Sequence, residues 1–370
     1  MIRGDDPPTR FLSPIRICHT VNRVKHPARS AGRPGLTRLC GTLAVLLVLG
    51  CGDSGAEPSL FDEGWVAVTA GTVHACALHA NGEAYCWGGN LQGQFGDASS
   101  DDAVVPTRAG GSLLFQSLRA AGDHTCGVTT AGEAYCWGRN DVGELGIGTP
   151  FPTPVPTRIE GGVYDQVYPS FYSGCGTRAG VAECWGGSRW EGSLAIPISD
   201  GCLGLYAVPT WPCARAPVPL RGETAFESID SGLFFGCGIA ITGGAYCWGM
   251  DDFGQLGADG AQNCVSGSAV ASCATVPTAV LGGEAFVDVA AGDVHACAVD
   301  AGGTAYCWGR VGLTVGQVGA GSREGVDLPT PVAGGLTYRG VYASRTNDLF
   351  GHSCGITNAR EAWCWGADPD

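Results

Sequence analysis

One short unit occurs six times along this 370-residue chain, and this repetition limits what the chain can fold into. Each copy ends on a Cys-Trp-Gly sequence, and these sequences recur at intervals of 48 to 63 residues. Such a period is typical of one propeller blade per repeat. Each copy also begins on an aromatic residue that precedes an aliphatic one by three positions, and the six aromatic residues are Trp65, Phe115, Tyr164, Phe226, Phe286 and Tyr338.

The middle of each copy has the pattern of a β-hairpin. In the first copy the Asn81-Gly82 turn places Cys76 directly opposite Cys86. Opposed residues on antiparallel strands have Cα atoms about 4.5 to 5.5 Å apart, which a disulfide can bridge. The third copy keeps this relation, because its turn and its cysteine spacing are both one residue shorter. We therefore predict six cross-strand disulfides: Cys76–Cys86, Cys126–Cys136, Cys175–Cys184, Cys237–Cys247, Cys297–Cys307 and Cys354–Cys364.

Four further cysteines lie in the two largest insertions between copies. Elimination pairs Cys202 with Cys213 and Cys264 with Cys273. With the cysteines of the first 51 residues set aside, sixteen remain, and an even number in an exported chain is typical of a disulfide framework.

A proline-containing stretch follows each of the first five hairpins. Proline cannot donate to a sheet ladder, so this stretch should be the outermost strand of its blade. A sixth candidate, Pro58–Leu60, precedes the first copy. The prediction is an all-β fold, a six-bladed β-propeller closed by N- and C-terminal strands, with seven blades as the alternative. The propeller covers residues 58–370, with repeats at about 58–108, 109–158, 159–219, 220–280, 281–332 and 333–370.

Residues 1–51 have the pattern of a signal segment. A basic stretch precedes the apolar run 43–50, which is too short to span a bilayer as a helix. The ending Val48-Leu49-Gly50-Cys51 resembles a bacterial lipobox, which makes Cys51 the expected lipidation site and residues 52–57 a flexible tether; ordinary signal cleavage nearby is the alternative. The expected location is the bacterial cell envelope, as an outer-membrane lipoprotein or a periplasmic or extracellular protein.

The charge of the exported part argues against nucleic-acid binding. The whole chain has 21 basic and 35 acidic residues, and residues 1–51 hold 8 and 2 of them, which leaves 13 against 33, or −20. Such a surface repels phosphate backbones. We expect a monomer that binds an unidentified protein partner and touches the membrane only through a lipid anchor.

The sequence predicts no catalytic residue, cofactor or metal site. The histidines His74, His124, His295 and His352 occupy equivalent positions in different copies, so they cannot converge on one point and are expected to join neighbouring loops. The cysteine spacing lacks the short pairs of zinc sites. Two acidic stretches, 97–102 and 251–252, lack the ligand spacing of a calcium loop, and we interpret them as solvated loops.

The aromatic residues of the repeat are expected to pack between blades. Aromatic residues outside the repeat are more informative, and Trp190, Tyr206 and Trp211 fall around the Cys202–Cys213 insertion. Aromatic side chains on stapled loops are typical anchors of recognition surfaces. This insertion is therefore the candidate binding loop.

The stretch from Gly71 to Gly96 follows the pattern Gly-x-x-His-x-Cys-x-Leu-x-x-x-Gly-x-x-Tyr-x-Trp-Gly-x-Asn-x-x-Gly-Gln-x-Gly. This pattern resembles the repeat of the regulator-of-chromosome-condensation propellers, over roughly residues 58–366. The resemblance implies a propeller used as a recognition surface. The cysteine pairs, the export signal and the acidity depart from the nuclear members, which argues against nucleotide-exchange activity and chromatin binding.

Three hypotheses about function follow. The first is a non-catalytic binding scaffold of the envelope that recognises a protein through loops on one propeller face. The second is a polysaccharide-acting hydrolase or lyase, which requires two carboxylates close together in a cleft. The third is a rigid structural component, for which flat faces with few loops are expected.

Overall fold

The computed structural model describes residues 13–14, 64–188, 194–198, 200–202, 211–259, 262–266, 269–282, 285–309, 316–321, 325–345 and 351–366. Its strands form six antiparallel sheets, and each sheet contains one copy of the repeat. Within this part of the chain the regular structure is all β, and no helix is long and apolar enough to cross a bilayer. The predicted six-bladed propeller is confirmed.

Blades 1, 2 and 5 are built from four strands in chain order, blades 3 and 4 have one extra strand, and blade 6 has three strands in chain order. Blade 1 contains β2 (Trp65–Ala70), β3 (His74–His79), β4 (Ala84–Gly88) and β5 (Ala103–Ala109); blade 2 contains β6 (Phe115–Ala121), β7 (His124–Thr129), β8 (Glu133–Gly138) and β9 (Thr153–Val163). Blade 3 contains β10 (Gln166–Pro169), β11 (Ser173–Arg178), β12 (Val181–Gly187), β13 (Asp200–Cys202) and β14 (Trp211–Pro219). Blade 4 contains β15 (Phe226–Ser231), β16 (Phe235–Ala240), β17 (Ala245–Met250), β18 (Gln262–Ser266) and β19 (Ala269–Ala279). Blade 5 contains β20 (Phe286–Ala291), β21 (His295–Asp300), β22 (Ala305–Gly309) and β23 (Val326–Pro331); blade 6 contains β24 (Tyr338–Ala343), β25 (His352–Thr357) and β26 (Ala362–Gly366).

A strand from the N-terminal part of the chain completes blade 6. This strand, β1 (Ser13–Pro14), pairs antiparallel with β26 as its fourth strand. The sequence assigned that place to Pro58–Leu60, and these residues lie outside the described part of the chain.

The proline-containing strand is outermost in blades 1, 2 and 5, as expected. In blades 3 and 4 the expectation is wrong, because the disulfide-bonded insertion returns as a hairpin and adds β13 or β18 outside it. The insertions therefore extend these two sheets at the edge.

The cysteines of each hairpin lie opposite each other and form disulfides. The six cross-strand pairs have Cα atoms 4.0 to 4.1 Å apart. The insertion pairs, Cys202–Cys213 and Cys264–Cys273, are also bonded, with Cα atoms 5.7 and 5.8 Å apart. These two bonds are diagonal across their hairpins, because Cys202 lies opposite Trp211 and Cys264 opposite Ala271.

Apolar side chains form five clusters, one at each junction from blade 1 to blade 6. At the first junction, Cys76, Leu78 and Phe95 of blade 1 meet Phe115 and Trp137 of blade 2. The indole Nε1 of Trp137 donates to the carbonyl of Gln94 at 2.7 Å, so the glycine-rich loop of one blade covers the tryptophan of the next. The first strand of blade 1 has no such cover among the described residues. Its Val68 is 69% exposed, whereas the equivalent Leu118 of blade 2 is 5% exposed.

Candidate functional site

The propeller has two unlike faces, because antiparallel strands alternate in direction and successive loops fall on opposite sides. The insertion face carries the loops that join the first to the second strand and the third to the fourth strand of each blade. The described parts of both disulfide-bonded insertions, together with Ser344 and Arg345, belong to this face. The turn face carries the short hairpin turns and the links between blades. A face with long insertions does not fit the hypothesis of a purely structural component.

An aromatic platform lies on the insertion face and consists of Phe171, Tyr172, Leu233 and Phe234. These residues occupy the first loop of blade 3, between β10 and β11, and the first loop of blade 4, between β15 and β16. The rings of Tyr172 and Phe234 stack with centroids 6.1 Å apart, and Phe171 meets Tyr172 edge-on at 4.6 Å. All four residues are half-buried, so apolar surface remains open to solvent on this loop-rich face.

Arg139 of blade 2 supports the platform. Its guanidinium carbon lies 5.5 Å from the centre of the Tyr172 ring, within cation–π distance. On another side, Tyr172 packs against Val142 and the disulfide between Cys202 and Cys213. Residues of blades 2, 3 and 4 therefore fix the platform in place.

A fully buried carboxyl group, Glu144, lies beside Arg139. One oxygen of Glu144 is 3.6 Å from the Nε of Arg139, and the other accepts the backbone N–H of Val142 at 2.8 Å. Burial raises the pKa of Glu144 to about 7, although Arg139 and the hydrogen bonds oppose the rise. The equivalent residues of blades 1 and 4 are the neutral Gln94 and Gln255. This ionisable group is thus a departure from the repeat, next to the platform.

Two loops bring aspartates to one side of the platform. The carbonyl of Phe234 accepts the N–H of Met250 at 2.9 Å, so Asp251 and Asp252 follow immediately in the chain. The N–H of Leu233 donates to the carbonyl that directly precedes Asp293, at 3.2 Å. Burial raises the pKa of Asp251.

A third loop brings Asp123 to the blade 2 side. This residue follows Gly122, which packs against the backbone of Phe171. Burial raises the pKa of Asp123, and the charge of Arg139, 3.9 Å away, opposes the rise. Backbone segments next to Asp123, Asp251 and Asp293 therefore contact the platform loops from blades 2, 4 and 5, and the Asp293 side chain itself is buried.

The candidate binding loop of the sequence is only partly described. Trp190 and Tyr206 lie outside the described residues, and Trp211 opens β14 opposite Cys202. The platform itself was not predicted. Its signal in the sequence is that two bulky apolar residues stand together in Phe171-Tyr172 and Leu233-Phe234, whereas each other copy has at most one, as in Thr72-Val73, Gly122-Asp123, Asp293-Val294 and Phe350-Gly351.

The central channel is crossed by Arg345, from the first loop of blade 6. Its guanidinium bonds the carboxylate of Asp230, the carbonyl of Ala291 at 2.8 Å and the carbonyl of Pro169 at 3.3 Å. Blade 6 is thereby joined to blades 3, 4 and 5. Asp230 is engaged in this ion pair, which leaves it poorly placed as a channel catalyst.

A cleft of about 750 Å³ opens between blades 4 and 5, and four aspartates line it: Asp251, Asp252, Asp259 and Asp327. Two of these carboxylates hold loops. The Oδ1 of Asp251 accepts the N–H of Leu256 at 3.0 Å, and that of Asp252 accepts the N–H of Ser272 at 2.7 Å. Phe253, Leu281 and Leu328 supply apolar walls. Four aspartates therefore share one cleft, the kind of place in which the hydrolase hypothesis expects its carboxylates.

Three of the histidines at the start of the second strands, His74, His124 and His295, are buried, and His352 is half-buried. His74 bonds the hydroxyl of Thr125 in the next blade at 2.9 Å, and His295 bonds that of Ser353 at 2.9 Å. His124 has no hydrogen-bond partner among the described residues. Burial lowers the pKa of His74 to about 4 and those of His124 and His295 to about 3.

Within the described ranges, no group of three or more His, Cys, Asp or Glu side chains is arranged to hold a metal ion. The acidic stretch 97–102 instead makes loop contacts, such as the bond from the Asn90 N–H to Asp102 at 2.8 Å.

Three segments match family models described as the regulator of chromosome condensation (RCC1) repeat, at residues 65–94, 131–167 and 242–299. Among curated proteins, the chain is 27% identical over 304 residues to the mouse E3 ubiquitin-protein ligase HERC2, covering 81% of this chain and 5% of that protein. It is 25% identical over 196 residues to the mitochondrial RCC1 domain-containing protein RUG3 of Arabidopsis thaliana, covering 52% and 40%. The chain thus spans less than half the length of either relative.

Solved propellers share the fold. Yeast RCC1 (Prp20) bound to Kap60 superposes with a TM-score of 0.64 at 20% identity, over 82% of this chain and 70% of that one. Human WBSCR16 superposes with a TM-score of 0.62 at 18% identity, over 83% and 73%.

Proposed function

We propose that this chain, a β-propeller of regulator-of-chromosome-condensation-type repeats, is an exported scaffold that binds a protein partner through the aromatic platform of its insertion face. The observation that carries the proposal is the platform itself: four half-buried apolar residues, side by side, on loops that three blades hold in place. Aromatic residues in a rigid setting lose little entropy on binding and dominate many protein interfaces.

The comparisons support the general role. The repeat defines a family of protein-interaction scaffolds, and one yeast neighbour is described in complex with Kap60. We extend this role to the present chain.

Export is supported by the eight disulfides, which persist in oxidising compartments. Cys51 and the segment before it lie outside the described residues. We keep the bacterial envelope and the lipid anchor on Cys51 as part of the proposal. Metabolic labelling with palmitate tests the anchor, and a Cys51→Ser variant that keeps the label argues against it.

Site-specific photo-crosslinking tests the binding face. A benzoylphenylalanine at Phe234 should capture a defined partner on living cells, and the same probe at Ile241 should not. Ile241 is the matched control, because it is apolar, 66% exposed and located on the turn face.

Capture of the partner at position 234 should also depend on the other residues of the platform. A Phe171→Ser variant should weaken capture at position 234 and leave the unfolding temperature nearly unchanged, because Phe171 is half-buried. Equal capture from both faces would contradict the proposal. Deleting the Cys202–Cys213 insertion is a poor test, because β14 supplies the fourth strand of blade 3.

The aspartate-lined cleft supports a second candidate, a polysaccharide-acting enzyme. The carboxylate pairs of such enzymes include one acid whose pKa is raised, and burial raises the pKa of Asp251. Release of reducing ends from a polysaccharide panel, lost in an Asp327→Asn variant, would support this candidate. Unchanged release of reducing ends in that variant would exclude the cleft as the catalytic site.

A further inference from the structure

We infer that this chain associates with a second copy of itself, with blade 6 of one copy packed on blade 1 of the other. The inference goes beyond the aromatic platform, and it departs from the monomer expected from the sequence. It starts from the junction of blade 6 with blade 1, the one blade junction that has no apolar cluster among the described residues.

Blade 1 exposes the side that the later blades bury against the blade before them. The blade 1 end surface consists of Val68, Ala70, Ala75 and Trp87. Val68 is 69% exposed, whereas its equivalents in blades 2 to 5 are 1 to 7% exposed. Ala70 is exposed, and Ala75 and Trp87 are half-buried, although the residues at these three positions are buried in blades 2 to 6.

The first strand of blade 1 also differs in charge from the first strands of the other blades. β2 contains no charged residue, whereas β6, β15, β20 and β24 each contain at least one. Val66 and Ala67 are exposed beside Val68. A continuous apolar strand of this kind is a site of protein association unless another element covers it.

Blade 6 exposes the opposite side, which the earlier blades bury against the blade after them. The blade 6 end surface consists of Cys354, Ile356, Ala362 and Cys364. Ile356 is 38% exposed, whereas its equivalents in blades 1 to 5 are at most 2% exposed. The disulfide between Cys354 and Cys364 is half-buried, and the five corresponding disulfides are fully buried.

The two end surfaces match each other as the sides of neighbouring blades do. At the first junction, Leu78 of blade 1 shares one cluster with Leu118 and Trp137 of blade 2. Ile356 has the position of Leu78 in its hairpin, and Val68 has the position of Leu118 in its strand. Residues of these types already pack together at five junctions of the same chain.

A second copy is the occupant because every copy carries both end surfaces. Within a single chain both surfaces stay exposed, so they do not cover each other. Blade 6 of one molecule supplies what blade 1 of another molecule lacks. The contact is head-to-tail, so further copies either close a ring or extend a filament.

Two variants each disable one end surface and keep the fold. Val68→Lys and Ile356→Lys place a charge in the inferred contact, at positions that are exposed in the single chain. A charge buried at the contact has no partner, so each variant should weaken association about tenfold or more. The matched control is Val287→Lys, which changes an exposed valine on the first strand of blade 5.

Light scattering after size-exclusion chromatography measures the molar mass of the oxidised protein from about 1 to about 100 µM. We expect the mass of the parent protein and of Val287→Lys to rise with concentration, and each end-surface variant to remain near the mass of one chain. An equimolar mixture of Val68→Lys and Ile356→Lys should form a complex of two chains and none larger, because each variant retains one intact end surface.

A parent protein that keeps the mass of one chain throughout this range would overturn the inference. Association that both end-surface variants retain would overturn it as well, because another surface would then join the copies. The aromatic platform takes no part in the contact, so Phe234→Ser should associate like the parent protein. Crosslinking at Phe234 therefore tests the proposed function separately.

Discussion

The turn face and the insertion face follow the repeat to different degrees. On the turn face, the same ion pair recurs in successive blades: Arg108 with Glu83 at 2.6 Å and Arg158 with Glu133 at 3.1 Å. On the insertion face, each feature of the candidate site is found in one blade or one junction. Regular positions serve the fold, whereas the positions where the repeat changes are free to serve recognition.

The two faces also differ in what they bury. The three described histidines with strongly lowered pKa values are the first residues of their strands and lie at the insertion face. The buried network of Arg139 and Glu144 lies at the same face. The ion pairs of the turn face have arginines that are about half exposed, and their glutamates range from partly exposed to buried. Stability should therefore respond more strongly to changes at the insertion face.

The largest difference is expected between two glycines of blade 2. Gly138, at the insertion face, has a φ of +107°, and a Cβ there would lie 2.6 Å from the carbonyl of Asp123. Gly132, at the turn face, has a φ of +81°, and the nearest atom to its Cβ would be 3.6 Å away. Gly138→Ala combines strain with a backbone clash and should cost about 3 kcal/mol or more, against about 1 kcal/mol for Gly132→Ala.

Urea unfolding of the two variants measures this difference. Similar losses of unfolding free energy would mean that the backbone at the insertion face can relax, and the contrast between the faces would fail.

The next largest effect is a loss of stability in acid. His74, His124 and His295 have folded pKa values of about 4, 3 and 3, below the unfolded value near 6.5. Between the folded and the unfolded pKa values, the unfolded chain binds more protons than the folded chain does. The free energy of unfolding therefore falls as the pH falls from about 7 toward 4. Each histidine should cost about 2 kcal/mol at pH 5 relative to pH 7.

Unfolding free energies measured at pH 7 and pH 5 test this expectation. A His124→Gln variant should have a shallower pH dependence than the parent protein, whatever its absolute stability. An unaltered slope in His124→Gln would exclude that histidine as a source of the acid sensitivity.

Glu144 should make the free energy of unfolding fall as the pH rises, which is opposite to the histidines. Its effect should be smaller than that of the three histidines together. Its folded pKa of about 7 lies above the unfolded value, so its contribution is complete below pH 4.5 and is lost as the pH rises through 7. Glu144→Gln installs the residue of blades 1 and 4. The stability of this variant relative to the parent should be about 2 to 3 kcal/mol more favourable at pH 8.5 than at pH 5. A constant difference across this range of pH would mean that Glu144 does not titrate in it.

The smallest effect is expected from the ion pairs of the turn face. Arg158 and Glu133 are about half and a third exposed, so a double-mutant cycle with Arg158→Gln and Glu133→Gln should give a coupling below about 1 kcal/mol. The coupling should shrink further at high salt. A coupling of several kcal/mol would make the turn face an unexpected source of stability.

Sequence reasoning found the features that repeat. Six aligned copies specify the blades, and the opposed cysteines specify the hairpin register, since one missing residue in the third turn is matched by one missing residue between Cys175 and Cys184. The tryptophans pack between blades for the same reason. Local spacing carries all of this information.

The spacing of residues within one copy does not predict contacts between different copies. The sequence pointed to Trp190, Tyr206 and Trp211, while the platform arises because loops some 60 residues apart, at Tyr172 and Phe234, meet at a blade junction. The edge strands β13 and β18 were missed because their insertions have no repeat to compare them with. Arg345 was missed because its partners lie in three other blades.

The five apolar clusters have a consequence for how such chains change over evolutionary time. Each cluster joins the hairpin and glycine-rich loop of one blade to the first strand and tryptophan of the next. Blades 2 to 5 therefore each hold complementary halves of two different cores. Loss or duplication of a whole blade rejoins the same two halves, so the gene can shorten or lengthen by one repeat without inventing a new interior.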